Sequence, residues 1–97
     1  MFKKGRKKSR ILTRRVEFEF LAPQAKAAYL AGIFNNWDTR GTPMKKDKVG
    51  KWRATLWLEA GKYEYRFFVD GRWENDPSCT SWVPNEFGTQ NCLRIVG

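Results

Sequence analysis

From Arg15 onward the apolar residues recur with a period of two, in runs cut short by turn residues. Val16, Phe18 and Phe20 alternate with Glu17 and Glu19, the pattern of a strand buried on one face. Ala22-Pro23-Gln24-Ala25 interrupts it, because Pro lacks a ladder donor and fixes its own φ. A second strand is expected over residues 27–33, stopped by the polar cluster Asn35-Asn36-Trp37-Asp38. Residues 39–50, with Gly41, Pro43 and several Lys, read as loop. Trp52, Ala54, Leu56 and Leu58 form one face of a further strand, with Arg53, Thr55 and Trp57 on the other. After Glu59-Ala60-Gly61, Tyr63, Tyr65, Phe67 and Val69 alternate with Lys62, Glu64, Arg66 and Phe68. Asp76-Pro77-Ser78 makes another turn, and residues 91–96 read as a closing strand. No stretch sustains a 3.6-residue period, so the expected fold is an all-β, antiparallel β-sandwich.

Asp70-Gly71 is the clearest hairpin signal, because a type I′ turn needs φ > 0 at both central residues. A two-residue loop there sets Val69 opposite Arg72 and Phe68 opposite Trp73. Opposed residues share a face, as do residues two apart along a strand. Arg66, Phe68 and Trp73 are therefore expected on one face, and Tyr65, Phe67 and Val69 on the other. The second set reads as core. The first places a cation beside a large flat ring.

With 97 residues there is room for one domain. The net charge of +9, from 19 Lys+Arg against 10 Asp+Glu, suggests by itself a partner such as nucleic acid or an anionic membrane. The charge is concentrated, however. Residues 1–15 hold eight of the basic side chains and no acid, which leaves the remainder close to neutral. Residues 1–14 are thus expected to be a disordered basic arm and residues 15–97 a single folded domain. The arm reads either as a nucleic-acid-binding extension or as a solvated terminus, and the second reading is preferred.

Several chemistries are excluded. With no His, neither a Ser–His–Asp nor a Cys–His site can be assembled, and two Cys cannot supply the ligands of a structural zinc site. No metal or other cofactor is expected. No apolar run approaches the roughly 20 residues of a membrane span, and no apolar core of a signal peptide follows the basic start. The expected setting is cytoplasmic, with no membrane partner. Cys79 and Cys92 are expected to be reduced thiols without a chemical role, in preference to a bridge.

Five Trp require an account. Trp52 reads as core. Trp37, Trp73 and Trp82 lie at or beside turns, and Trp57 alternates outward. An exposed flat aromatic suits nucleobases, proline-rich peptides or sugar rings, and spacing alone does not choose among them.

Four segments in order carry a family resemblance: residues 29–37 (YLAGIFNNW), residues 61–73 (GKYEYRFFVDGRW), Asn75-Asp76-Pro77 and Phe87-Gly88-Thr89-Gln90-Asn91. Together they resemble the family-48 carbohydrate-binding modules. These serve as the glycogen-binding domain of the AMP-activated protein kinase β subunit and precede the catalytic domain in isoamylases and branching enzymes. The resemblance spans roughly residues 15–97. It implies an immunoglobulin-like sandwich of the early-set type that binds α-1,4-linked glucan such as glycogen, starch-like chains or maltooligosaccharides. It implies that Trp37 and Trp73 stack on glucose rings. It also implies that Arg66, at a position the family fills with Lys, bonds sugar hydroxyls. The resemblance further implies that Phe87, at a position where the family has an apolar residue, packs into the sugar, with Thr89 and Asn91 hydrogen-bonding nearby.

No acidic pair has a sequence reason to be catalytic, since Asp38, Asp70 and Asp76 sit at turns and Glu17 and Glu19 on a solvated strand face. The expectation is a non-catalytic glucan-binding module that brings a glucan-metabolising enzyme or other protein partner to its polysaccharide. With no kinase-docking segment after Gly97, a kinase-subunit role is not expected. Two alternatives stay open. One is a nucleic-acid binder using the arm and the aromatic face; the other is an interaction scaffold whose sugar site has decayed.

Overall fold

The computed structural model describes residues 12–97. Most of the basic arm, residues 1–11, lies outside the described residues. At the Asp70–Gly71 hairpin both φ values are positive, 48° and 81°, as the type I′ turn requires. The turn joins β5 (Gly61–Val69) to β6 (Arg72–Glu74), in the expected register of Val69 opposite Arg72 and Phe68 opposite Trp73. The Asp70 carboxylate also accepts hydrogen bonds from the backbone amides of Lys26 and Ala27, each at 2.9 Å. Those amides enter β2 (Ala28–Gly32), which pairs with β5 on its other edge.

The remaining strands are β1 (Thr13–Leu21), β3 (Lys45–Lys46), β4 (Lys51–Glu59), β7 (Trp82–Pro84) and β8 (Gln90–Val96). One antiparallel sheet has the order β1-β4-β3, and the other runs β2-β5-β8-β7 with β6 alongside β5. The two pack as an antiparallel β-sandwich, as the alternation predicted, of the immunoglobulin-like kind that the resemblance implied. Because β1 begins at Thr13, paired with Glu59, the first sheet takes in two residues assigned to the arm. Among the described residues no helix is long and apolar enough to cross a membrane.

The period-two reading fixes which residues meet between the layers. Val16 and Phe18 from β1, with Trp52, Ala54 and Leu58 from β4, face Leu30, Tyr65, Phe67, Val69, Cys92 and Val96 of the second sheet. Phe18 meets Tyr65 edge-on at 4.9 Å between centroids, and Phe20 meets Phe67 at 5.0 Å. Such pairs contribute about 0.5–1.5 kcal/mol each beyond the area they bury. The polar atoms of the aromatic core are satisfied. Trp52 Nε1 donates to the Ala22 carbonyl, and the Tyr65 hydroxyl donates to Asp76 Oδ2 at 2.6 Å. Burial, then the neighbouring Asp76, push the Tyr65 phenol far above its usual pKa.

Three expectations need correction. The second strand stops at Gly32, and Ile33–Asn35 form a 3₁₀ turn. The 39–50 segment is not wholly loop, since Lys45 and Lys46 pair with Arg53 and Trp52. The closing strand begins at Gln90 rather than Asn91 and pairs with a three-residue edge strand, β7, that starts at Trp82, where Pro84 is tolerated because its nitrogen need not donate.

Gly32 marks a close approach between β2 and β5. A Cβ there would lie 2.5 Å from the Glu64 carbonyl oxygen and 2.7 Å from the Phe34 ring. The backbone is extended, so the obstacle is space and not dihedral strain. Gly32→Ala is expected to destabilise the domain by about 1–3 kcal/mol, seen as a lower midpoint in urea unfolding.

Candidate functional site

The solvent-facing side of the second sheet carries a cleft at the β5–β6 end. One wall begins where β2 gives way to the 3₁₀ turn. Asn35 holds this turn from inside: its Oδ1 accepts the Gly32 amide, and its Nδ2 donates to the Leu30 carbonyl and Thr42 Oγ1, all at 3.0 Å. Asn36 and Trp37 follow with φ of 56° and 59°. Two consecutive left-handed residues reverse the chain sharply, and the Trp37 amide returns to the Gly32 carbonyl at 2.9 Å. Strain at Trp37 is a mark of a constrained site, because bulky residues adopt this conformation reluctantly.

The floor comes from the β5–β6 hairpin. Trp73 packs edge-on against Phe68 at 5.1 Å and against Trp37 at 6.3 Å. The Arg66 guanidinium lies 5.8 Å from the Trp73 ring centre. Its Nε donates to Asn75 Oδ1 at 2.6 Å, and Nη1 reaches Thr89 Oγ1 at 3.4 Å. The face deduced from a two-residue turn is therefore present, with Tyr65, Phe67 and Val69 buried behind it.

The third wall is the loop between β7 and β8, organised by Asn85. Its Oδ1 accepts the amides of Phe87 and Thr89 at 3.0 and 3.1 Å, and its Nδ2 donates to Thr89 Oγ1 and Asn91 Oδ1 at 2.8 and 3.0 Å. Asn91 in turn donates to Glu64 Oε1. These bonds hold Phe87 away from the protein, 80% exposed.

All six residues singled out from the sequence, Trp37, Arg66, Trp73, Phe87, Thr89 and Asn91, line one cavity of about 930 Å³, together with Asn85 and Glu86. They are not equivalent. Trp73 and Phe87 are exposed, whereas Asn91 is buried and already bonded to Asn85 and Glu64. Asn85 was not identified from the sequence. Its signal is local: an Asn whose carboxamide oxygen can take the amides two and four residues ahead makes an Asx-type loop. Among the described residues no cluster of three or more His, Cys, Asp or Glu could hold a metal ion.

The carboxylates at the turns serve the backbone. Asp38 Oδ1 accepts the Arg40 amide, Asp70 the amides described above, and Asp76 Oδ1 the Ser78 amide, each at 2.9 Å.

Comparison with known proteins places this architecture. The family described as the glycogen recognition site of AMP-activated protein kinase matches residues 15–96. The 5'-AMP-activated protein kinase subunit beta-2 of Homo sapiens is 41% identical over 68 residues, covering 70% of this chain and 24% of that subunit. Subunit beta-1 of Rattus norvegicus is 41% identical over 66 residues, 68% of this chain and 23% of that subunit. The chain thus spans about a quarter of the length of these relatives. A match over nearly all of its folded residues means that the chain belongs to the family of glycogen recognition domains of AMP-activated protein kinase.

Proposed function

We propose that the cleft binds α-1,4-linked glucan, with Trp37 and Trp73 stacking on glucose rings and without chemistry of its own. The observation that carries this reading is a single cavity lined by two indoles, a phenyl ring, a guanidinium and a threonine hydroxyl. A pyranose presents C–H groups on its faces and hydroxyls around its rim, so a binding site for it needs flat apolar surface flanked by directional polar groups. Arg66 and Thr89 supply such groups beside Trp73, and Phe87 offers a further apolar surface opposite. Covering even ~100 Å² of indole face contributes about 2.5 kcal/mol at 25 cal/mol/Å². Each sugar hydroxyl exchanges water for protein, so its hydrogen bond adds only about 1 kcal/mol. After association costs, affinities of roughly micromolar to millimolar are expected for so small a site.

Binding without hydrolysis is the reading the carboxylates favour. Glycosidases position two carboxyl groups across the scissile bond, and Glu86 is the single carboxylate among the described residues lining the cavity. On this reading residues 15–97 are the glucan-binding unit, and the domain brings a protein partner to polysaccharide.

In affinity electrophoresis the chain is expected to be retarded by glycogen and not by cellulose, with retardation unchanged when residues 1–12, which precede β1, are removed or salt is raised. Trp37→Ala combined with Trp73→Ala should weaken glycogen affinity by at least about tenfold. Normal wild-type mobility in glycogen would overturn the proposal. Salt-sensitive retention by nucleic acid that disappears with residues 1–12 would point instead to the arm.

Asn85→Ala separates loop organisation from direct stacking. It removes the acceptor of two loop amides while leaving every aromatic in place. Glycogen affinity is expected to fall roughly tenfold, measured by the same mobility series. Unchanged affinity would show that the loop keeps its form without this side chain.

A further inference from the structure

On the far side of Tyr65 and Asp76 from the cleft, a polar groove of about 420 Å³ runs beside the 76–81 segment, and Cys79 lines it. Cys79 is half-buried; Cys92, on β8, is fully buried directly behind it. Their Sγ atoms are 2.7 Å apart, and Cys92 Sγ also accepts the Asp76 amide at 3.3 Å. Both are free thiols.

We propose that Cys79 and Cys92 form an oxidisable pair, a site of reversible disulfide formation that fastens the β7–β8 hairpin to the 76–81 turn. The reasoning is one of access and adjacency. A hydroperoxide in the groove reaches only Cys79. The Cys79 sulfur attacks the peroxide, the O–O bond breaks, and the thiol proton leaves with the released oxygen as water. The resulting sulfenic acid stands against Cys92. The Cys92 sulfur attacks it, the S–OH bond breaks, and the departing hydroxyl takes the Cys92 proton as a second water. Two thiols and one hydroperoxide thus give one disulfide and two waters, or a water and an alcohol if the peroxide is organic. Cys92 reacts only through its neighbour. Burial, then the hydrogen bond with Cys79, push its thiol up to about 12, so it is the protonated thiol that meets the sulfenic acid.

The position gives the bond its consequence. It would close a loop between two residues 13 apart, and Asn85, Phe87, Thr89 and Asn91 all lie inside that loop. The cleft wall would gain a covalent brace at its base, where β7 is only three residues long. Any effect on glucan rests on the function proposed above; formation of the bond does not.

The full chain is treated with hydrogen peroxide, denatured, alkylated and cleaved after Glu residues. Cleavage after Glu86 puts the two cysteines on separate peptides, which stay joined only if the sulfurs are linked. The expected result is a joined pair released by dithiothreitol and a melting temperature raised on the order of 10 °C. Amide exchange should also slow across residues 82–91, and Cys79→Ser should abolish all three effects. Two alkylated thiols after treatment, or a linked pair with unchanged melting and exchange, would overturn the inference. Failure of glycogen retention would sink the proposed function and leave this result standing, because the link is read by mass.

Discussion

A carboxylate that accepts amide protons from residues 43 and 44 positions upstream holds the tip of the β5–β6 hairpin. Asp70 is doing two jobs with one side chain: its backbone adopts the left-handed turn, and its carboxylate ties that turn to the entry of β2. The consequence spreads through the second sheet. With β5 pinned between β2 and β6, its alternate residues cannot exchange faces, since a slip of one position would put Arg66 in the core and Phe67 in water. The site side chains and the core side chains are therefore two readouts of the same register.

The cleft is organised before any ligand arrives. Arg66 is held by Asn75, and Asn75 donates onward to the Gln90 carbonyl, so the guanidinium links the hairpin to the start of β8. Asn85 fixes the loop carrying Phe87 and Thr89, and Asn91 joins it to Glu64 on β5. Side chains already restricted lose less entropy on binding, and a site built this way spends little of its weak contact energy on ordering itself. Asn85 commits both of its amide hydrogens and its oxygen to the loop, so it serves the loop's form and leaves the rim's donors to Arg66. The 3₁₀ turn contributes in the same way: two left-handed residues place Trp37 against Trp73, a geometry that a continued strand through Ile33 would not reach.

What could be read from the sequence follows from which forces are local. The hairpin register, the faces of β5 and the core positions of β1 and β4 are consequences of period and turn chemistry, and they were legible residue by residue. The six cleft residues were legible through the hairpin and the resemblance, and they converge on one cavity. β3 and β7 were not, because strands of two and three residues show no alternation. Asn85 was hidden for another reason: an Asn in a loop has an ordinary turn role, and its reach to Asn91 depends on the closed hairpin. Arg94 was read only as part of a closing strand. Its guanidinium instead crosses to the Phe18 ring at 4.8 Å and donates to the Glu17 carbonyl, covering the edge between the sheets. Such a contact joins residues 77 apart and leaves no trace in periodicity.

Charge, the feature that first suggested nucleic acid, argues differently once placed in space. Three acids of the folded part, Glu17, Glu19 and Asp47, pair with basic side chains of the first sheet. Arg53 lies within 4 Å of Glu17, Glu19 and Asp47, and Lys51 within 4 Å of Glu19. Exposed pairs of this kind contribute about 0–1 kcal/mol each, so their weight is in distribution more than in stability. The cleft on the opposite sheet is lined by one cation, Arg66, and one carboxylate, Glu86. A phosphate-bearing chain would meet little net attraction there. On the function proposed above, an uncharged polyhydroxylated chain would meet flat rings and guanidinium donors there, and its binding should depend weakly on salt because few counterions are displaced.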